Sequence, residues 1–181
     1  MKEIRTPDEL IAYGRALQVA HGFKGWISDE EGEILRRYIA DRKITVAYEC
    51  GTRRGWSACW MALGGAFVHT WDIEDLEGIE RGTNLGERIQ RHIGPFDLGV
   101  GKPLNYEKEP VLIFIDGDHS YEGVQRDFEA VLPYLLQGDV VVFNDTKSWK
   151  NVAQYIDDLK KLGFPVKDID TYYGTAVLEW A

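Results

Sequence analysis

Cysteine is scarce in this chain. It has two, Cys50 and Cys59, among 181 residues. They form no C-x-x-C pair, so a zinc site of the usual spacing is excluded. Both lie in apolar stretches and read as small core residues. Long apolar runs are also missing: none approaches the ~20 residues that a membrane helix needs. The start, Met1-Lys2-Glu3-Ile4-Arg5, leads into a polar helix rather than the apolar core of a signal peptide. Positive charge is in deficit, with 21 basic against 30 acidic residues and a net charge of −9. A nucleic-acid-binding surface has the opposite balance, although Arg53, Arg54, Lys147 and Lys150 could gather into a local basic patch. These absences lead us to expect a cytoplasmic protein with neither a membrane nor a nucleic acid as partner. No internal repeat, low-complexity segment or linker divides the chain. We therefore expect one domain over 1–181, with N-terminal helices in 1–42 and an α/β core in 43–181.

What is present alternates in type. Thr6-Pro7-Asp8-Glu9 is a capping box with proline at the first helical position, opening a helix that ends at Gly22. Ser28-Asp29-Glu30-Glu31 repeats the signal, followed by Ile34, Leu35, Tyr38 and Ile39 at helical spacing. Strands are expected at 44–48, 66–71, 96–100, 111–115 and 140–143. Helices are expected at 56–63, 85–93, 121–136 and 152–162. The last two segments, 166–172 and 175–180, suggest a hairpin around Tyr173-Gly174. The runs at 111–115 and 140–143 are uninterrupted and apolar, as strands covered on both faces should be. This order predicts a doubly wound, Rossmann-like, mostly parallel seven-stranded sheet with a C-terminal antiparallel hairpin and an N-terminal helical extension.

Ligands in such sheets sit beyond the carboxyl ends of the strands, where strand order reverses. The turn after the first strand reads Glu49-Cys50-Gly51-Thr52-Arg53-Arg54-Gly55-Trp56-Ser57. Its glycines permit a sharp turn and close approach of a ligand, and the next helix presents free amides there. It lacks the G-x-G-x-x-G of dinucleotide folds. Its E-x-G-x-x-x-G instead resembles the glycine loop of class I S-adenosylmethionine-dependent methyltransferases. Asp72, at the end of the second strand, is placed to accept both hydroxyls of a ribose, with Glu74 and Asp75 as competitors.

Two later strands run into polar ends on the same edge: Asp116-Gly117-Asp118-His119 and Asn144-Asp145. Gathered carboxylates suit a hard cation or a catalytic base. These two segments, Asp127 in the helix between them, and Pro133-Tyr134-Leu135-Leu136-Gln137-Gly138 carry a more specific resemblance. Residues 26–180 resemble the methyltransferase group of cephalosporin-hydroxylase-like proteins and macrolide-sugar O-methyltransferases.

The resemblance implies S-adenosylmethionine as cofactor. Its binding residues would be Glu49, Gly51, Thr52, Gly55, Trp56 and Ser57 in the loop, and Asp72 and Ile73 after the second strand. Gly101, in the loop at 99–103, would lie near the adenine, and Asp116 and His119 near the methyl group. It also implies Mg²⁺ held by Asp116, Asn144 and Asp145, with Asp118 as an alternative ligand. His119 would be the general base, titrating near neutral pH, with Asp116 and Asp145 completing the catalytic set. Asn144 departs from the two carboxylates common in metal-dependent members. Trp26 either caps the cofactor or packs on Ile34, and packing is the preferred reading. The expected reaction is O-methylation of a small hydroxylated molecule, a sugar or a phenol. The alternatives are a nicotinamide-dependent dehydrogenase and a non-catalytic cofactor-binding module. The oligomeric state stays open, a homodimer included.

Overall fold

The computed structural model describes residues 1–22, 26–96 and 109–181. Helices α1 (Pro7–His21) and α2 (Asp29–Arg42) begin at the two capping boxes. Thr6 and Ser28 accept from the amides of Glu9 and Glu31, whose carboxylates reach back to the cap amides. The core then runs β1 (Val46–Cys50), α3 (Trp56–Gly64), β2 (Phe67–Asp72), β3 (Ile89–Ile93), β4 (Leu112–Ile115), α4 (Tyr121–Val131), β5 (Val140–Phe143), α5 (Lys150–Lys161), β6 (Val166–Ile169) and β7 (Thr175–Glu179). The seven strands form one sheet in the order β3-β2-β1-β4-β5-β7-β6. Pairs from β3 through to β5 are parallel, and β7 is antiparallel to both β5 and β6. The fold is thus the mostly parallel α/β sheet with a closing hairpin that the alternation implied.

Side-chain alternation along the central strands explains the two cores. Leu112, Phe114, Val140 and Val142 face a cluster built with Leu10, Leu35, Ile39, Trp60 and Met61 of α1, α2 and α3. Ile113, Ile115, Val141 and Phe143 face the opposite cluster, with Phe128 of α4 and Tyr155 and Ile156 of α5. Every residue of β4 and β5 is buried, as expected of strands sandwiched between helices.

Two elements differ from expectation. Residues 85–93 are not a helix: a 3-10 turn covers Asn84–Arg88 and β3 follows. Ile89 and Ile93 are four residues apart, a spacing that suits one face of a helix and equally one face of a strand. Pairing of β3 with β2 decides between them. Sequence also places a strand at 96–100. Phe96 follows β3 in irregular structure, and residues 97–100 lie outside the described residues. The helix expected to reach Leu136 ends at Val131 and becomes a 3-10 turn over Leu132–Tyr134. Pro133 lacks the amide a continuing α-helix needs and disfavours helical geometry at the residue before it. No helix among the described residues is long and apolar enough to cross a membrane.

Candidate active site

The sheet reverses its winding between β1 and β4, and the loops leaving these two strands meet there. The Asp116 amide donates to Cys50 O at 2.9 Å. Gly51 has φ +99°, and a Cβ on it would stand 2.3 Å from the Asp116 carbonyl oxygen, so only glycine fits this crossing. A cleft of about 980 Å³ opens above it. Gly51 to Arg54 after β1, Asp72 to Glu74 after β2, Asp116 to His119 after β4, and Asn144 and Asp145 after β5 form its walls. Trp26, Ile27, Ser148, Trp149 and Tyr173 close the remaining side.

One end is organised around Asp72. Its Oδ2 accepts from the Arg53 amide at 2.6 Å and its Oδ1 from the Glu74 amide at 3.0 Å. Each carboxylate oxygen retains acceptor capacity toward the cleft. Thr52, Trp56, Ser57 and Ile73 also line it, whereas Glu49 and Gly55 do not. Glu49 is fully buried behind the loop and accepts from the hydroxyls of Ser57 and Thr70. Burial pushes its carboxyl up to about 8, against the pull of those two hydroxyls. It braces the glycine loop from behind. Gly101 lies outside the described residues. Trp26, read from sequence as a packing residue, stands on the cleft wall and stacks on Trp56 with centroids 4.9 Å apart.

The other end gathers Asp116, His119 and Asp145, whose ligand-type atoms lie within 4.8 Å of one another. His119 Nε2 is 3.0 Å from Asp145 Oδ2 and 3.6 Å from Asp116 Oδ1, ion-pair distances without good hydrogen-bond alignment. Contacts with Asp116 and Asp145 raise the imidazole from 6.5 to about 9, against the smaller opposing effect of burial. Burial also raises the Asp116 carboxyl. The sequence placed His119 near neutral titration because it could not show two carboxylates converging on one ring. Asp145 holds φ +63°, a left-handed conformation that aspartate tolerates better than most side chains. Its carbonyl accepts from the amides of Ser148 and Trp149. The Trp149 ring lies flat on His119, with centroids 5.0 Å apart and planes 11° apart.

Asn144 is alongside. Its Nδ2 donates to Asp116 Oδ1 at 3.1 Å, and its Oδ1 is buried without a partner. Rotation of the amide by half a turn exchanges nitrogen and oxygen, so the side chain can offer oxygen to the same point. The donor set suits a hard divalent cation. Asp118 is turned elsewhere, accepting from the Ser120 amide at 2.9 Å and standing 3.6 Å from Arg126. Sequence reasoning singled out neither Trp149 nor Tyr173 for the site. Both lie in segments with no motif of their own, and the chain's path alone brings them to the cleft.

Residues 48–146, more than half of the chain, match the family model described as a methyltransferase domain. The chain belongs to this methyltransferase family. No curated relative matches it, but solved structures share its fold. The O-methyltransferase TomG of Streptomyces achromogenes, involved in tomaymycin synthesis and solved with SAM, is 18% identical to the methyltransferase described here. That alignment covers 94% of this chain and 90% of TomG, with a TM-score of 0.73. An O-methyltransferase from Bacillus cereus in complex with SAH is 19% identical over 94% of this chain and 90% of that one, with a TM-score of 0.71. The apo TDP-rhamnose 3′-O-methyltransferase of calicheamicin biosynthesis is 18% identical over 97% and 96%, with a TM-score of 0.62.

Proposed function

We propose that this methyltransferase carries the methyl group of S-adenosylmethionine to a hydroxyl oxygen of a small acceptor, a sugar or a phenol. One observation carries the reading: a single cleft at the strand-order reversal has a glycine loop with Asp72 at one end and the Asp116–His119–Asp145 cluster at the other. The solved O-methyltransferases of the same fold, two of them holding SAM or SAH, support it.

In this reading Asp72 accepts the ribose hydroxyls, and the Gly51–Arg54 turn cradles the amino-acid end. Trp149 fixes the plane of the His119 ring. His119 Nε2 and the flanking carboxylates orient the acceptor hydroxyl and take its proton. Trp26, Ile27 and Tyr173 limit water at the reacting centre, and the chain's main contribution is positioning. Asp116, Asp145 and Asn144 are the residues that would hold Mg²⁺, and a bound cation there would lower the acceptor's hydroxyl pKa and orient it. The test is transfer of labelled methyl from S-adenosylmethionine to a panel of sugars and phenols, with and without Mg²⁺. The expected products are base-stable ethers, and His119→Ala should slow their formation by about 10²-fold or more. Amines and thiols in the same panel serve as competitors, and label found only on their nitrogen or sulfur would overturn O-methylation.

A further inference from the structure

Behind the glycine loop lies a buried ion pair that the proposed chemistry does not use. Arg91 of β3 and Glu80, in the 3-10 turn Ile79–Gly82, meet at 3.2 Å with side chains 10% and 3% exposed. Neither lines the cleft. Arg91 Nη1 also donates to Leu76 O at 2.8 Å, and Nη2 donates to Arg53 O. The next loop carbonyl, of Arg54, accepts from the Ile79 amide at 2.9 Å. Glu80 fills the space under Gly55: a Cβ there would stand 2.4 Å from Glu80 Oε2.

As a contribution to stability this pair is poorly built. Glu80 Oε2 and Arg91 Nε are buried without partners, and a buried pair of this kind is commonly no better than apolar packing. What apolar side chains lack is the ability to donate to two loop carbonyls at once. The carbonyl of Arg53 is the telling one. Arg53 has φ +46°, a left-handed conformation that is unfavourable for a residue with a Cβ. From that conformation its amide donates to Asp72 Oδ2. We propose that Arg91, anchored by Glu80, is the positioning residue of the cofactor loop, holding Arg53 in the left-handed conformation that aims the Asp72 carboxylate. This rests on the cofactor reading above.

The test is calorimetric binding of S-adenosylhomocysteine to the full chain. Arg91→Lys keeps the charge beside Glu80, but one ammonium cannot span Leu76 O, Glu80 and Arg53 O together. It should weaken binding about tenfold or more. Glycine adopts the left-handed conformation without help. In the Arg53→Gly background, Arg91→Lys should therefore cost no more than about threefold. A purely structural role would give the same loss in both backgrounds, which would overturn the proposal, as would wild-type binding left unchanged by Arg91→Lys. Should Arg91→Lys fail to fold, the neutral pair Glu80→Gln with Arg91→Gln replaces it in the same cycle, with the same expectation. Wild-type protein that binds no S-adenosylhomocysteine would overturn the cofactor reading itself.

Discussion

At the scale of single residues, the site depends on charges set against one another. His119 is held as an imidazolium by Asp116 and Asp145 up to about pH 9. Its raised value stabilises the fold fully below pH 6.5 and loses that contribution as pH rises through about 9. Asp145→Asn keeps the tolerance for a left-handed backbone and removes one carboxylate. The His119 ring, followed by NMR, should then titrate well below 9; an unchanged titration would show that Asp145 does not hold the proton. The same raised value delays proton acceptance, so turnover without added metal should climb with pH toward 9. Glu49 carries the second pH signature. Its folded value of about 8 means that the neutral acid is the form the fold favours. Its contribution is complete below the ordinary carboxylate range near 4.5 and fades as pH rises through 8. Glu49→Gln mimics the neutral acid, so thermal melts should show the variant gaining on wild type as pH rises from about 4.5 to about 8 and keeping that gain above it. Parallel melting curves across that range would contradict this. The motif marks Glu49 but cannot show which way its side chain turns, and the sheet buries it behind the loop.

At the scale of elements, helix ends and buried strands were legible and packing partners were not. Both capping boxes close as read, because capping is local chemistry. Strand β5 begins and ends where its apolar run does. Strand β3 was not legible: a spacing of four residues serves both periodicities, and its pairing partner lies outside any local window. Glu31 shows the same limit. Its sequence role is a cap, yet Oε1 also accepts from the Thr171 hydroxyl and the Tyr173 amide, each at 2.9 Å. The Tyr173 carbonyl in turn accepts from the amides of Lys147 and Ser148. One buried carboxylate thus ties α2 to the β6–β7 turn and to the loop carrying Trp149. Glu31→Ala should cost about 1–3 kcal/mol in chemical denaturation, the scale for buried donors left unpaired. A loss under 0.5 kcal/mol, the range of ordinary surface changes, would show that the bonds to Thr171 and Tyr173 do not hold these elements together.

At the scale of the whole molecule, the sheet order places everything. Reversal between β1 and β4 brings Gly51 against Asp116, and parallel β4 and β5 bring Asp116 beside Asp145. The candidate site was legible to that extent because strand ends share one edge; the aromatic wall needed the closing hairpin and the turn before α2. The central claim is that this cleft holds S-adenosylmethionine with its ribose on Asp72. Calorimetry with S-adenosylhomocysteine and with NAD, on wild type and Asp72→Ala, tests it most directly. We expect one site of micromolar affinity for S-adenosylhomocysteine, about −8 kcal/mol, weakened at least about tenfold by Asp72→Ala through the loss of charge-assisted hydrogen bonds. Tight NAD binding with no response to S-adenosylhomocysteine, or full affinity in Asp72→Ala, would contradict the account.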